Sequence, residues 1–248
     1  MPSTPSGIAA LGVEGVSKRF GGLVAVDSIS FHIAENEVLG LIGPNGSGKT
    51  TMLNLISGAL KKTSGAIRLH GDDISSYSAS EIATRGIART FQIVRMLPSL
   101  TVLENVAAGG VFGHSRRWGR ELDDHARNLL RRVGLQGADD APVSTLTYID
   151  QKRVELARAL ASEPKVVLLD EWLAGLNPTE LRTGIALIEQ IRAEGRTIIV
   201  VEHVMDAIRS LCDRCVVMNS GAKIAEGTPR EVLADAEVIR AYLGDADA

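Results

Sequence analysis

The segment "EVLGLIGPNGSGKTTMLNLISGAL" (37–60) changes character twice. "EVLGLIG" reads as a short apolar strand and "KTTMLNLISGAL" as a helix. Between them "GPNGSGKT" (43–50) matches G-x-x-x-x-G-K-[ST] in full, and the strand-before, helix-after context separates the match from a chance glycine-rich turn. Gly43, Gly46 and Gly48 permit backbone conformations that other residues resist, so the N–H groups of Asn45, Gly46, Ser47 and their neighbours can point inward as an anion nest around a loop that also holds Pro44. The helix that starts near Gly48 offers its positive N-terminus to a phosphate. Lys49 is placed to reach the outer phosphates, the Thr50 hydroxyl is a candidate Mg²⁺ ligand, and Thr51 completes the loop. A nucleoside triphosphate site follows.

Two further strands carry chemistry at their ends. "VVLLDE" (166–171) is an apolar run from which Asp170 emerges, and in open α/β sheets the ligand crevice lies outside the carboxyl ends of the strands. Asp170 there is expected to hold Mg²⁺ through its water shell. Glu171, one residue on, is expected to reach a water in line with the terminal phosphate, as base or orienter. "TIIVVEH" repeats the design with Glu202 and His203. An isolated His is usually structural, but three strand ends opening into one crevice favour a functional His203, holding the terminal phosphate and the attacking water. Gln92, in "RTFQIV", is expected to reach both the metal and that water.

Around these segments the chain alternates strand and helix, which implies a parallel sheet with helices on its faces. "LGVEGVSKRF", "LVAV" and "SISFHIA" form a β-rich beginning. Residues from about 93 to 162 have few β-branched runs and read as helical, through "TVLENVAAGGVF", "GRELDDHARNLLRRVGL" and "LTYIDQKRVELARAL". In the last, Val154, Ala157, Leu160 and Ala161 recur at helical spacing, and Lys152, Arg153, Glu155 and Arg158 are expected on the wet face. The expected organisation is one domain over 1–248, with a core of about 1–92 and 163–248 and a helical subdomain of about 93–162. The basic tip "HSRRWGR" (114–120) is expected in solvent.

Composition excludes several classes. The chain has 248 residues, 45% hydrophobic and 23% charged, with a net charge of −3 that argues against bulk binding to nucleic acid or anionic lipid. Aromatic residues make up 4%, too few for a base-stacking platform. No apolar run approaches the roughly 18 residues of a membrane span. The start, "MPSTPSGIAALG", lacks the features of a signal peptide, so an intracellular protein is expected. Cys212 and Cys215 form C-x-x-C, but zinc takes about four ligands and no second Cys/His pair stands nearby. "CVVM" reads instead as a buried strand, with cysteine as a small core hydrophobe.

The P-loop, Gln92, Leu146–Asp150, Asp170-Glu171 and His203 stand in the order found in ABC transporter ATP-binding subunits. "RFGGLVAV", "ARTFQIVRMLPSLTVLENV", "DEWLAGLNPTE", "VEHVMDAI" and "AEGTPREV…VIRAYLG" resemble the ATPases of branched-chain amino-acid uptake, over about Leu11 to Gly244. The resemblance implies an α/β P-loop NTPase (RecA-like) core with an N-terminal antiparallel β portion and an inserted α-helical subdomain. It implies an ATP hydrolase using ATP and Mg²⁺ and peripheral on the cytoplasmic face of the membrane. Its implied partners are a permease docked on the helical subdomain, an identical or paralogous second ATPase, and a solute-binding protein; nucleic acid is not among them.

Phe20 occupies the place of the aromatic that stacks on adenine, with a plain core Phe as the alternative. Ala174, Gly175, Leu176 and Asn177 match the loop that contacts the other subunit, with Asn177 where many such ATPases carry Asp. "LTYID" sits where the signature L-S-G-G-Q belongs, presenting a helix N-terminus and a hydroxyl to the partner's nucleotide. Thr147 keeps the hydroxyl and Tyr148 replaces the first Gly. Ile149 and Asp150 depart from the pattern: either Asp150 turns aside, or the segment is a weakened clamp. Trp172 stands where these ATPases more often carry Pro. The competing expectation is an ATP-binding partner that hydrolyses slowly beside a better ATPase, or a transporter ATPase for a different solute. Soluble ABC proteins usually carry two ATPase units or a long coiled coil, and a P-loop kinase leaves His203, Gln92 and "LTYID" without a common purpose.

Overall fold

A computed structural model describes residues 9–113 and 115–243. His114 of the basic tip, the first eight residues, and Gly244 at the end of the family resemblance lie outside the described residues. The chain begins with two long antiparallel strands, β1 (Leu11–Phe20) and β2 (Leu23–Ile33). "LVAV" and "SISFHIA", expected as separate strands, are one: Ser28 takes a positive φ of 47° inside it, and an irregular register with β1 absorbs the break. Next come β3 (Val38–Ile42), α1 (Lys49–Ile56), β4 (Ser64–Leu69), β5 (Asp72–Asp73), α2 (Ala79–Thr84) and β6 (Ile87–Arg89). The helical stretch holds α3 (Val102–Phe112), α4 (Gly119–Arg132) and α5 (Tyr148–Ala161), which pack on one another. The α/β rhythm then resumes with β7 (Val166–Asp170), α6 (Pro178–Ala193), β8 (Thr197–Val201), α7 (Met205–Leu211), β9 (Arg214–Asn219) and β10 (Ala222–Gly227). Two short helices close the described chain, α8 (Pro229–Ala234) and α9 (Ala236–Leu243), separated by Asp235, whose carboxylate accepts from the N–H groups of Glu237 and Val238.

One sheet runs β2-β1-β4-β5 and is antiparallel; the other runs β10-β9-β3-β8-β7-β6, parallel except for β10. The period of two explains why the parallel sheet is buried on both faces. Val167, Leu169, Ile198 and Val200 face a cluster shared with α3, α4 and α5, while Val166, Leu168, Ile199 and Val201 face a cluster shared with α1 and the antiparallel sheet. Both cysteines are buried thiols: a Cβ on Gly40 of β3 would lie 2.9 Å from Cys215 Sγ and 3.1 Å from Cys212 Sγ. The bond to Cys215 and burial push the Cys212 thiol up, the behaviour of a core residue rather than a nucleophile.

The wet face expected on α5 is a correction. Lys152 and Glu155 are 2% and 1% exposed. Both are buried because backbone groups of two distant loops meet them there.

Candidate active site

The functional segments meet because the parallel strands all end at one edge. β3 runs into the glycine loop, β6 into Thr90–Gln92, β7 into Asp170-Glu171 and β8 into Glu202-His203. A cavity of about 700 Å³ opens there, lined by Phe20, Asn45–Thr51, Gln92, Glu171 and Ser220.

The loop is shaped by close backbone approach. At Gly43 (φ 146°) a Cβ would collide with the Met218 carbonyl, and at Gly48 (φ 103°) it would lie 2.5 Å from the Ala25 carbonyl. Gly48 opens α1 without any side-chain cap, leaving the first-turn N–H groups for a ligand. Lys49 Nζ donates to the carbonyls of Gly43 (2.7 Å) and Pro44 (2.9 Å). Burial lowers its pKa, opposed by the charges of Glu171 and Asp170. The buried Ser47 Oγ has no hydrogen-bond partner among the described residues. A cradle without room for a side chain, beside a buried ammonium and an orphaned hydroxyl, fits a polyphosphate.

At the opposite wall the carboxylate of Glu171 collects the two other residues predicted for catalysis. Gln92 Nε2 donates to Oε2 at 2.8 Å, and His203 Nε2 lies 2.7 Å from Oε1. Glu171 holds φ at 51°, rare for a side chain of its size, and its N–H donates to the Val201 carbonyl at 2.8 Å. Asp170 is buried, and its Oδ2 pairs with Arg89 at 2.7 Å while Oδ1 has no partner among the described residues. Burial raises its pKa and the Arg89 bond lowers it. The free Oδ1, Thr50 and Gln92 make an all-oxygen donor set that fits a hard divalent cation held partly by water.

Phe20 is 46% exposed, with Lys18 Nζ 4.8 Å from its ring centroid, so it is not a core residue and leaves apolar surface at the mouth of the cavity. Asn177 caps α6, its Oδ1 accepting from Thr179 (2.9 Å) and Glu180 (3.0 Å); Ala174, Gly175 and Leu176 lead into it. Thr147 caps α5. Asp150 turns back: Oδ2 accepts the Thr147 hydroxyl proton at 2.8 Å and Oδ1 pairs with Arg153 at 3.1 Å. Ile149 borders a groove shared with Trp172 and Arg153. Tyr148 is exposed and its hydroxyl lies 3.4 Å from the Gln92 carbonyl.

Sequence reasoning missed Arg89, Lys152 and Glu155. Glu155 accepts from the N–H groups of Phe91 (3.2 Å) and Arg95 (3.0 Å), on either side of Gln92. Lys152 donates to the carbonyls of Glu171, Trp172 and Ala174. Another cavity of about 720 Å³, between β1, β2 and β10, is away from this chemistry, and its Arg68, Arg214 and Lys223 are paired with Glu14, Glu37 and Glu226.

A strand, glycine loop and helix, with acidic and histidine-bearing strand ends facing the loop, define a P-loop nucleotide-binding protein. Residues 26–174 match the ABC transporter family model, and residues 222–248 match that of the branched-chain amino acid ATP-binding cassette transporter. The chain is 39% identical to the high-affinity branched-chain amino acid transport ATP-binding protein BraF of Pseudomonas aeruginosa, over 95% of this chain and 98% of that protein. It is 40% identical to LivG of Salmonella typhimurium, of the same description, with the same coverage. Among solved structures, an ABC transporter cassette in its ADP conformation superposes with a TM-score of 0.87 at 32% identity, covering 96% of this chain and 99% of that one. A dimeric cassette in a post-hydrolysis state with ADP and Pi gives 0.81 at 27% identity, covering 89% and 99%. The chain belongs to the ABC transporter ATP-binding family, in its branched-chain amino-acid group. It is accordingly a nucleotide-binding ATPase subunit of a transporter. Among the described residues no helix is long and apolar enough to cross a membrane.

Proposed function

We propose that this chain is the ATP-hydrolysing subunit of an importer for branched-chain amino acids or a related small solute. The observation that carries the reading is the convergence of Gln92 and His203 on the Glu171 carboxylate, across the cavity from Lys49. The nucleotide lies on Gly43–Thr51 with its adenine against Phe20. Lys49 leaves the Gly43 and Pro44 carbonyls to meet the outer phosphates. Thr50, Gln92 and Asp170 would hold Mg²⁺, which would supply neutralisation of the phosphate charge. Glu171 accepts a proton from the attacking water, while Gln92 and His203 orient that water and the terminal phosphate. Arg89 aims the Asp170 carboxylate and opposes the rise in its pKa that burial causes.

The resemblance to the branched-chain ATPases supports the remaining assignments. Thr147–Asp150 face the nucleotide of a second ATPase, identical or paralogous, and Ala174–Asn177 contact that subunit. Residues 93–162 form the inserted subdomain on which a permease docks, with a solute-binding protein in the complete system. The chain then works on the cytoplasmic face of the membrane. One observation favours a slower-hydrolysing partner subunit as the second reading: the Thr147 hydroxyl is engaged by Asp150.

Steady-state ATP hydrolysis by the purified chain and its Glu171→Gln variant tests the proposal. Hydrolysis that drops by about 10²–10⁴-fold in the variant, with ATP binding retained, is expected for loss of a general base. A silent wild type that still binds ATP supports the second reading, and failure to bind ATP overturns both.

A further inference from the structure

Trp172 and Lys152 are buried, and the reading of the site gives neither a task. They bond each other's backbone. Trp172 Nε1 donates to the Lys152 carbonyl at 3.1 Å. The Lys152 ammonium donates to the carbonyls of Glu171 (3.3 Å), Trp172 (3.1 Å) and Ala174 (2.8 Å). An ammonium has three donors and no acceptor, so this cap uses all of them. Among the described residues no carboxylate lies within ion-pair distance of it; burial lowers its pKa, and the charges of Glu202, Glu155 and Glu171 oppose that. Burying a long cationic side chain costs free energy, and here the three carbonyl bonds offset that cost while tying the ammonium to one turn. The turn begins with Glu171 in its left-handed conformation and ends in the loop Ala174–Asn177.

The same helix holds the other side of the site. Glu155 and Arg158 bond the backbone of Phe91 and Arg95, flanking Gln92. One rigid element, α5, thus touches the segments of both Gln92 and Glu171, and its N-terminus carries Thr147.

We propose that Lys152 and Trp172 form a reciprocal backbone latch by which α5, the helix presenting Thr147 to the partner's nucleotide, sets the position of the Glu171 carboxylate at its own. Both are positioning residues, since neither reaches the cavity. The inference rests on the proposed ATPase site. Its physical content is that the signature helix and the catalytic carboxylate of one subunit move as a unit, so occupancy at one interface is felt at the other.

The test uses Lys152→Met, which keeps the apolar stem and removes the donors, Lys152→Gln, which restores part of the donor set, and Trp172→Phe, which removes the indole N–H together with part of the ring. Catalytic groups displaced by about 1 Å lose on the order of 10²-fold in rate. Lys152→Met is expected to lower kcat by about 10–100-fold while ATP affinity, read with a fluorescent ATP analogue, stays within about twofold. Lys152→Gln should recover part of kcat, and hydrogen exchange across residues 90–95 and 171–177 should rise in Lys152→Met and Trp172→Phe. Unchanged kcat and exchange in folded variants overturn the latch. So does a joint fall of kcat, affinity and Tm without recovery by Gln, the signature of a merely structural role. If Lys152→Met does not fold, Trp172→Phe decides by the same readings. If the wild type fails to hydrolyse ATP, the functional reading fails instead, and the exchange measurement still decides the latch.

Discussion

Glu202 follows β8 and precedes His203, fully buried, and its environment makes it a reporter of proton binding in the folded state. Oε1 accepts from the Leu173 N–H at 2.5 Å, while Oε2 has no partner among the described residues. Burial raises its pKa from 4.5 to about 7, against the lowering effects of the Leu173 bond and the Lys152 charge. The unfolded chain releases this proton near 4.5, so between 4.5 and about 7 the folded protein holds a proton that the unfolded chain lacks. Stability from this group therefore falls as pH rises through that window, and the cost is complete above it. At ~1.4 kcal/mol per pKa unit the whole effect is about 3 kcal/mol. Glu202→Gln keeps an acceptor for Leu173 and cannot titrate; any penalty of its amide group is the same at every pH. Urea unfolding of both proteins at pH 5 and pH 8 isolates the term. The stability difference should shift by about 2–3 kcal/mol toward the variant at pH 8. A difference constant across pH to within ~0.5 kcal/mol would refute a protonated, buried Glu202.

Other consequences follow from charges that the fold pairs. Arg153→Gln leaves Asp150 unpaired at the partner's phosphate, where full repulsion is about 4 kcal/mol at 4 Å and an effective dielectric of 20. Partial exposure and the turned carboxylate reduce this to about 1–2 kcal/mol, so ATPase activity should drop by about tenfold and recover in the Arg153→Gln/Asp150→Gln double variant; equal activity in all three refutes the pairing. Arg89→Met strands the buried Asp170 carboxylate and should cost about 3–5 kcal/mol in urea unfolding, with the loss relieved as Asp170 is protonated at low pH. No loss would mean that Asp170 does not depend on Arg89.

The parallel sheet was legible because β3, β7 and β8 are short apolar runs that end in glycine or in charged residues, and such runs fit few environments. The positions of Glu171 and His203 at the crevice were legible for the same reason, as polar residues placed just after strands; Gln92 was read only as standing at the entry to the helical stretch, because the three-residue β6 that leads to it is too short to show in the sequence. What the sequence hid has a common cause. Periodicity assigns a charged residue to solvent, and Lys152 and Glu155 defeat it because their partners are backbone groups, which leave no mark in the sequence. Those partners stand 22 and 60 residues away, and Arg89 meets Asp170 across 81. The orientation of Asp150 was likewise undecidable from composition: a carboxylate at a helix start is favourable whether it faces outward or bonds Thr147, and only the position of Arg153 chooses.

The role given to Glu171 is tested most directly by the state of Glu171→Gln after incubation with Mg²⁺-ATP, read by light scattering coupled to size exclusion with analysis of the retained nucleotide. A carboxylate that activates water at a subunit interface predicts a stable dimer holding intact ATP, while the wild type under the same conditions yields monomer with ADP or none. A variant that stays monomeric, or a dimer in which the nucleotide has turned over to ADP at the wild-type rate, would contradict it.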